Sequence, residues 1–165
     1  MTSSVRPAIQ GDHEALCDLF FELFAKSARG RPDLFRAPAT GDPEERRRMR
    51  AYLAEAMSKA QEVILVACEG DAVVGVVHVI VREVPESVTV PFRRACREGW
   101  IQHIAVRAGN QHRGVGKDLD QAARAWAKAQ GAQTVGLQVW AYNEDAARFF
   151  ARVGYRARSF HLYEP

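Results

Sequence analysis

Two glycines separated by one residue follow an apolar stretch in the second half of the chain. Residues 111–117 combine Gly114 and Gly116 with the basic side chains of Arg113 and Lys117. Glycine lets the backbone come close to a ligand, and the first N–H groups of a helix have no partner inside it. Because those groups and the helix dipole favour negative charge, the stretch predicts a binding site for a phosphate or pyrophosphate.

The spacing of the glycines excludes two common phosphate-binding motifs. A dinucleotide fingerprint needs a third glycine where this chain has Leu119. A nucleotide P-loop needs a glycine in place of Gln111 and a serine or threonine in place of Asp118. What remains is the pattern Q-x-x-G-x-G, whose alternative interpretation is a tight strand-to-helix turn without a ligand.

The surrounding patterns predict the elements that position this turn. Apolar residues run up to Val106 before it, and Leu119, Ala123 and Trp126 recur at helical spacing after it. Along the chain, the predicted order is strand, two helices, three strands, helix, strand, helix, strand. The predicted bounds are 4–9, 12–29, 43–60, 62–68, 72–82, 99–106, 116–130, 134–140, 144–153 and 155–163, with loops at 29–41 and 83–98.

Two motifs together resemble the GNAT-type N-acetyltransferase family. The Q-x-x-G-x-G turn after a strand ending Ile104, Ala105, Val106 is similar to that family's acyl-CoA pyrophosphate loop. A second family pattern, V-x-x-x-N-x-x-A-x-x-F-Y-x-x-x-G-F, is matched at Val139, Asn143, Ala146, Phe149, Phe150, Gly154 and Tyr155. The resemblance implies one domain, 1–165, with an α/β (α+β) GNAT fold. That fold is a mixed, mostly antiparallel sheet of six to seven strands with about four helices and a splayed central strand pair.

The resemblance also implies acetyl-CoA as co-substrate. Its pantetheine arm would hydrogen-bond the strand backbone like an added strand, and its pyrophosphate would rest on the amides of residues 112–117. The residues implied in cofactor binding are Ile104, Ala105, Val106, Gln111, His112, Arg113, Gly114, Val115, Gly116, Lys117, Asn143 and Phe150.

The catalytic base is not fixed by the resemblance. Members of the family often carry an acidic residue two positions before Ile104, where this chain has Gln102. His103 is the candidate base, although a histidine satisfied within the sheet fits the pattern equally well. His78 and Glu98 are the weaker alternatives.

The catalytic acid departs from the family pattern as well. Many members have a tyrosine where this chain has Phe150, which cannot protonate the CoA thiolate. Tyr142 is the candidate acid, with Tyr155 as an alternative, and both also fit as wall or core aromatics. Without an acid the thiolate leaves unassisted, which a thiol pKa near ~8.5 permits.

Composition excludes several classes of function. A net charge of +3 without a clustered basic face argues against nucleic acid. The sequence contains no apolar run of the length that would predict a membrane span or a signal peptide. Cys17, Cys68 and Cys96 show neither metal spacing nor a disulfide framework. We expect a cytoplasmic protein without metal, membrane or nucleic-acid partners, and a homodimer through the last strands stays an open alternative.

The expected function is acetyl transfer by direct attack of a small-molecule primary amine, such as an amino acid, a polyamine or an aminoglycoside-like compound. Glu22, Asp33 and Glu83 would attract a cationic amine, unless they are merely solvated charges. One alternative is a non-catalytic acyl-CoA-binding sensor module, which Gln102 and Phe150 favour. The other is an acetyltransferase acting on protein N-termini or lysines, which needs an open peptide groove.

Overall fold

The computed structural model describes residues 3–86 and 94–162. The strands are β1 Ser4–Pro7, β2 Glu62–Glu69, β3 Ala72–Val84, β4 Cys96–Val106 and β5 Thr134–Leu137. The helices are α1 His13–Gly30, α2 Pro43–Ser58, α3 Val115–Ala129 and α4 Glu144–Arg152. Short 3-10 turns, Gln10–Asp12 and Ala108–Asn110, precede α1 and the turn into α3.

The strands form one sheet in the order β1-β2-β3-β4-β5, antiparallel throughout except for the parallel pair β4 and β5. That pair is in register from Glu98 opposite Thr134 to Ile101 opposite Leu137. β4 then continues to Val106 on β3 alone, because β5 has ended. This confirms the predicted mixed, mostly antiparallel sheet and its splayed central pair.

Helices cover both faces of the sheet. On one face, α1 and α2 bury apolar side chains at helical spacing, including Leu16, Phe20 and Leu53, which are fully buried. On the other face, α3 buries Leu119 and Ala123 against β3 and β4. The two faces of β4 therefore contact different helices.

The predicted start of α2 is confirmed in detail. The Asp42 side chain accepts a hydrogen bond from the N–H of Glu44 at 2.9 Å, and Pro43 occupies the first helical position. This cap fixes where α2 begins, and hence which of its side chains face the sheet.

The predicted last strand, residues 155–163, is wrong over 155–162, which carry no strand, and position 163 lies outside the described residues. Tyr155 turns toward α3 instead, where its OH donates to Asp120 at 2.9 Å and Arg124 lies 4.2 Å over its ring. Beyond it, Phe160 and Leu162 are 84% and 91% exposed. The described sheet therefore has five strands rather than six to seven.

Several predicted bounds shift because pairing partners end strands earlier or later than side-chain patterns do. β4 begins at Cys96, which pairs with Val84, so the predicted loop 83–98 is too long at both ends. Its central part, 87–93, lies outside the described residues. β5 stops at Leu137 rather than 140, β1 ends at Pro7 rather than 9, and α1 includes Gly30.

Candidate active site

The glycine turn, residues 111–116, connects β4 to α3 along a path that suits glycine. Gly114 has a φ of 92°, in the left-handed region, and α3 begins directly after it. Its carbonyl accepts from the N–H of Lys117 at 2.9 Å and of Asp118 at 3.0 Å. Within residues 3–86 and 94–162, no acceptor takes the N–H groups of 112–116. They are open donors at the positive end of the α3 dipole.

Close packing holds the glycine turn against the end of β4. Gly75 of β3 lies opposite Val106, and a Cβ added to it would be 2.9 Å from Leu119 Cδ1 of α3. The missing side chain therefore lets the first turn of α3 approach the sheet. Gln111 adds a tie, because its Nε2 donates to the Val106 carbonyl at 3.1 Å.

Beside the glycine turn, β4 has an open edge, formed by residues 103–106. Pairing with β5 ends at Ile101, while pairing with β3 continues. The N–H of Arg107 donates to a carbonyl of β3 at 2.9 Å. Because backbone groups of successive residues alternate between the two edges of a strand, the N–H groups of Ile104 and Val106 point to the side that β5 has left.

His103 of β4 lies in a cleft of about 460 Å³ between α1, α2 and the loop that follows α1. We call it the aromatic cleft. Its apolar lining consists of Phe21, Phe24, Leu34, Phe35, Pro38, Met49 and Tyr52. Three charged side chains complete it: Arg36, Glu45 and Arg48.

The His103 imidazole is packed between aromatic rings. Its centroid is 5.4 Å from that of Phe20 and 5.5 Å from that of Phe24, both edge-on. Burial and, second to it, the neighbouring His78 together lower the pKa of His103 to about 4. The ring is therefore neutral at pH 7, so it can accept a proton without first losing one.

Next to His103, the side chains of Tyr52, His78 and Glu62 form a chain of hydrogen bonds. Buried His78 contacts the Tyr52 hydroxyl through Nδ1 at 2.8 Å and a Glu62 carboxylate oxygen through Nε2 at 2.9 Å. Burial raises the pKa of Tyr52 to about 12, so its OH is protonated and donates to Nδ1. The Nε2–H of His78 then donates to Glu62, which fixes the tautomer.

Sequence reasoning missed Tyr52 and Glu62. Tyr52 belongs to the apolar stripe of α2, where a tyrosine is indistinguishable from an ordinary core aromatic. Glu62 begins β2 and has the sequence context of a solvated charge. Only the strand register, which sets His78 opposite Ile64 and His103, brings these groups together.

The model of the acetyltransferase (GNAT) family matches residues 21–155. This chain belongs to the GNAT acetyltransferase family. The matched range contains the glycine turn, the open edge of β4 and the apolar lining of the aromatic cleft.

One curated relative of this GNAT chain is an uncharacterized N-acetyltransferase, encoded in the pepI 3′ region of Lactobacillus delbrueckii subsp. lactis. It is 36% identical over 67 residues, which are 38% of this chain and 36% of that protein. The match thus spans about a third of the relative's length.

Solved structures share the whole fold. The tetramutant of the BH1408 protein from Bacillus halodurans aligns with a TM-score of 0.86 at 18% identity, over 98% of this chain and 99% of that one. AAC(6')-Iy, in complex with the bisubstrate analogue CoA-S-monomethyl-acetylneamine, aligns with a TM-score of 0.75 at 15% identity, over 100% and 98%. At these identities the likeness concerns the fold alone.

The GNAT chain has a second cavity, of about 590 Å³, between α3 and α4 next to the glycine turn. Lys117, Arg124 and Arg152 line it against a single acid, Asp120. Arg113, in contrast, turns away from it and pairs with Glu69 of β2 at 3.3 Å. Of the two basic side chains in the motif, only Lys117 lines this cavity.

The two motif residues of α4 have structural contacts in this GNAT chain. The Asn143 side chain accepts from the N–H of Ala146 at 3.4 Å, which caps α4. Phe150 is buried, with its ring edge-on to Phe149 at 5.0 Å and to Tyr155 at 5.4 Å. Phe149 is the aromatic that faces the glycine turn, because a Cβ at Gly116 would lie 3.4 Å from its ring.

Tyr142 follows β5 and belongs to a group of aromatic side chains, with Trp140 and Phe35, that we call the aromatic wall. Its ring stacks on Trp140 at 6.4 Å, and Trp140 meets Phe35 of the aromatic cleft edge-on at 5.4 Å. The ring also fills the space beside Gly30, where a Cβ would overlap it. The structure thus brings Tyr142 to the cleft side of β5, whereas Tyr155 lies on the α3 side bound to Asp120.

The alternative bases, His78 and Glu98, do not line the aromatic cleft, and neither does Gln102, which stands at the position of the family's acidic residue. Gln102 is the extra residue of a β-bulge, since Ile101 pairs with Val79 and His103 with His78, and it is exposed. Glu98 is buried, with Arg82 donating to it at 2.9 Å. His78 has both ring nitrogens engaged, which leaves His103 as the titratable group of β4 that lines the cleft.

Two features are absent from the described part of the chain. None of its helices combines the length and the apolar character needed to cross a lipid bilayer. None of its His, Cys, Asp and Glu side chains gather in threes in a way that could hold a metal ion.

Proposed function

We propose that this chain is an N-acetyltransferase that moves the acetyl group of acetyl-CoA to a primary amine of a small molecule by direct attack. The observation that carries the proposal is the open edge of β4. It joins the glycine turn, with its free N–H donors, to the aromatic cleft that contains His103.

The described residues fit acetyl-CoA along this edge. The N–H groups of residues 112–116 suit a pyrophosphate, and Lys117 and Arg152 add positive charge in the adjoining cavity. The outward N–H of Ile104, with the backbone of Ala105, suits an amide of a pantetheine arm, and the outward N–H of Val106 is left for the thioester oxygen. Asn143 and Phe150 contribute by holding α4 and Phe149 beside the turn. The complex of AAC(6')-Iy with a CoA-containing bisubstrate analogue, on the same fold, is consistent with this path.

Acetyl transfer requires three groups of the chain: a base, a donor to the thioester oxygen and a donor to the leaving sulfur. An amine must be neutral to attack, and free primary amines have pKa values of ~8 to ~10.4. The apolar cleft favours the neutral form of the amine, and neutral His103, although a weak base, is placed to take a proton from the nitrogen once the C–N bond has formed, directly or through one water. The Val106 N–H donates to the thioester oxygen as it gains negative charge. The new C–N bond forms as the C–S bond breaks, and Tyr142 is the candidate donor to the leaving sulfur.

A small-molecule acceptor is favoured by the shape of the aromatic cleft. Side chains of α1, α2 and the loop at residues 31–38 line it around His103, and its volume of about 460 Å³ is of the size that holds a small molecule. Holding the two reactants together in this way supplies much of the rate in a two-substrate transfer.

The test combines acetyl-CoA binding by calorimetry with a thiol-release assay on a panel of amines and peptides. Gly116→Asp puts a carboxylate where the pyrophosphate would rest. A negative charge at a helix N-terminus favours folding, so the variant should fold and yet bind acetyl-CoA at least about tenfold more weakly. Gly109→Asp is the matched control, because it adds the same charge to open space before the turn.

Each result discriminates between functions. Binding that Gly116→Asp loses and Gly109→Asp keeps, with thiol release from small amines, supports the proposal. Binding without release from any amine or peptide would favour a sensor module. Release from peptides alone would favour a protein acetyltransferase. Absence of acetyl-CoA binding by the wild type would refute the cofactor site itself.

A further inference from the structure

From the lining of the aromatic cleft we infer that the acceptor amine is an apolar amino-acid-like compound, with an aromatic or branched side chain and a carboxylate that Arg48 binds. This inference rests on the proposed acetyl transfer and narrows its acceptor. It sets aside the polyamines and aminoglycoside-like polycations that the sequence left open.

The walls of the cleft call for an apolar body. Phe21 and Phe24 of α1 face Met49 and Tyr52 of α2 across it, and Phe35 closes it from the loop. Such a surface desolvates whatever enters. A polycation would lose the hydration of several ammonium groups there without gaining acidic partners.

The acids that would attract a polycation are engaged elsewhere. Asp33 is bound by Arg31 at 2.8 Å, and Glu83 by Arg97 at 2.7 Å. Glu22 lies 3.6 Å from Arg107. None of the three lines the aromatic cleft.

Glu45 is the one acid among the described residues that line the cleft, and it is already satisfied. One of its oxygens pairs with Arg36, and the other accepts from the N–H of Ala39 at 2.7 Å. Arg36 thereby lowers the pKa of Glu45 and keeps it ionised. The lining thus has two guanidinium groups against one committed carboxylate, which suits an anionic group on the ligand.

Arg48 is the guanidinium available to that group. It lies four residues before Tyr52 on α2, so it projects on the same face, about 6 Å further from the His103 end of the cleft. Its present partner is Glu44, at 3.1 Å on the exposed surface. Because Arg47 also holds Glu44, through two contacts of 2.7 Å, Arg48 can turn to a ligand without leaving Glu44 unpaired.

The inference predicts an order of substrates that matched pairs reveal. Phenylalanine is compared with phenethylamine, and leucine with isoamylamine, since each pair differs only in the carboxylate. Spermidine and kanamycin represent polycations. We expect kcat/KM, calculated on the concentration of neutral amine, to be about tenfold higher for each amino acid than for its decarboxylated partner.

Variants assign that preference to Arg48. Arg48→Gln should lower kcat/KM for phenylalanine about tenfold and leave phenethylamine within about twofold. Arg50→Gln is the control, because Arg50 lies two residues further along α2, pairs with Glu14 instead of Glu44 and does not line the cleft. It should leave both substrates within about twofold. Calorimetric binding of N-acetylphenylalanine in the presence of CoA, which needs no turnover, should show the same dependence on Arg48.

The outcomes separate the two proposals. Faster transfer to spermidine or kanamycin than to any apolar amino acid overturns the acceptor class but keeps acetyl transfer. Equal loss in the two arginine variants overturns the role of Arg48. Binding of N-acetylphenylalanine that depends on Arg48, without CoA release from any amine, supports the ligand class and refutes transfer. The absence of both N-acetylphenylalanine binding and CoA release would refute both proposals.

Discussion

The two ends of the proposed site are built from different parts of the polypeptide. At the glycine turn the donors are backbone N–H groups, and one of the two basic side chains of the motif, Arg113, is paired with Glu69. In the aromatic cleft the backbone is hidden, and side chains from α1, α2, β4 and a loop form the surface. In the proposed function, the first end binds a group that every acyl-CoA shares, and the second binds the acceptor.

This difference determines how each end responds to substitution. Backbone donors are displaced only when the path of the chain moves, so the glycine turn is sensitive to packing beneath it. Side chains act individually, so the aromatic cleft is sensitive to single replacements and to protonation.

The largest expected effect is a loss of folding stability in acid, caused by His103 in the aromatic cleft. An unfolded histidine has a pKa near 6.5, whereas the pKa of His103 in the folded protein is about 4. The unfolded state therefore binds the proton more tightly, and stability falls as pH drops below about 6.5. His103 alone should remove about 2 kcal/mol of unfolding free energy by pH 5 and about 3 kcal/mol below pH 4.

Urea unfolding at pH 7.5 and pH 5 measures this loss in the wild type and in His103→Gln. The variant should lose less stability over the same interval, whatever its absolute stability. Carboxylates titrate mainly below this interval, so they contribute little to the comparison. His78, whose pKa burial also lowers, stays in both proteins and retains part of the slope. Equal slopes in the two proteins would contradict the assignment.

A smaller effect is expected from packing beneath α3. Gly75→Val places side-chain atoms against Leu119, near the glycine turn, while Gly99→Val places them against Ala127, near the other end of α3. Both should cost about 1–3 kcal/mol by overpacking. Only Gly75→Val should also weaken acetyl-CoA binding, by about tenfold or more, because it moves the N-terminus of α3. Thermal unfolding and calorimetry on both variants check the contrast, and equal losses of affinity would contradict it.

The same contrast explains which parts of the site could be predicted from sequence. The glycine turn is local: residue spacing within 111–116 specifies a conformation, and the donors follow from that conformation. The aromatic cleft needs α1, α2 and the 31–38 loop at once, so Phe21, Phe35 and Tyr52 look like ordinary core residues in sequence. The bulge at Gln102, which sets the facing of His103, is visible only in the register of β3 and β4.

The fold shows where local patterns fail. The helices and most strands were predictable because periodic apolar residues bury on the face that the period defines. The last predicted strand failed because Tyr155 finds its partner in Asp120 of α3, a tertiary contact that overrides the alternating pattern. β5 is shorter than its pattern because it leaves β4 after Leu137.

The aromatic wall gives a third, still smaller expectation. Gly30→Ala places a methyl group where the Tyr142 ring lies, so it should destabilise the protein by about 1 kcal/mol and raise KM for the amine. Acetyl-CoA affinity should not change. In a Tyr142→Ala background the same substitution should be neutral or stabilising, since alanine suits a helix better than glycine. A double-mutant cycle by chemical denaturation measures the reversal, and additive effects would contradict the contact.

The smallest effect is expected where sequence alone suggests a large one. Arg113 lies inside the motif and looks like a phosphate ligand, but its guanidinium is 3.3 Å from Glu69, which also accepts from Asn110 at 3.1 Å. Arg113→Ala should therefore change acetyl-CoA affinity by less than about threefold, with little change in its salt dependence. If Arg113 bound the pyrophosphate directly, the loss would exceed about tenfold and would shrink as salt is added. Glu69→Gln sharpens the test: by releasing Arg113 it should strengthen binding slightly, because a cation held by a neighbouring carboxylate is only then free to reach the ligand.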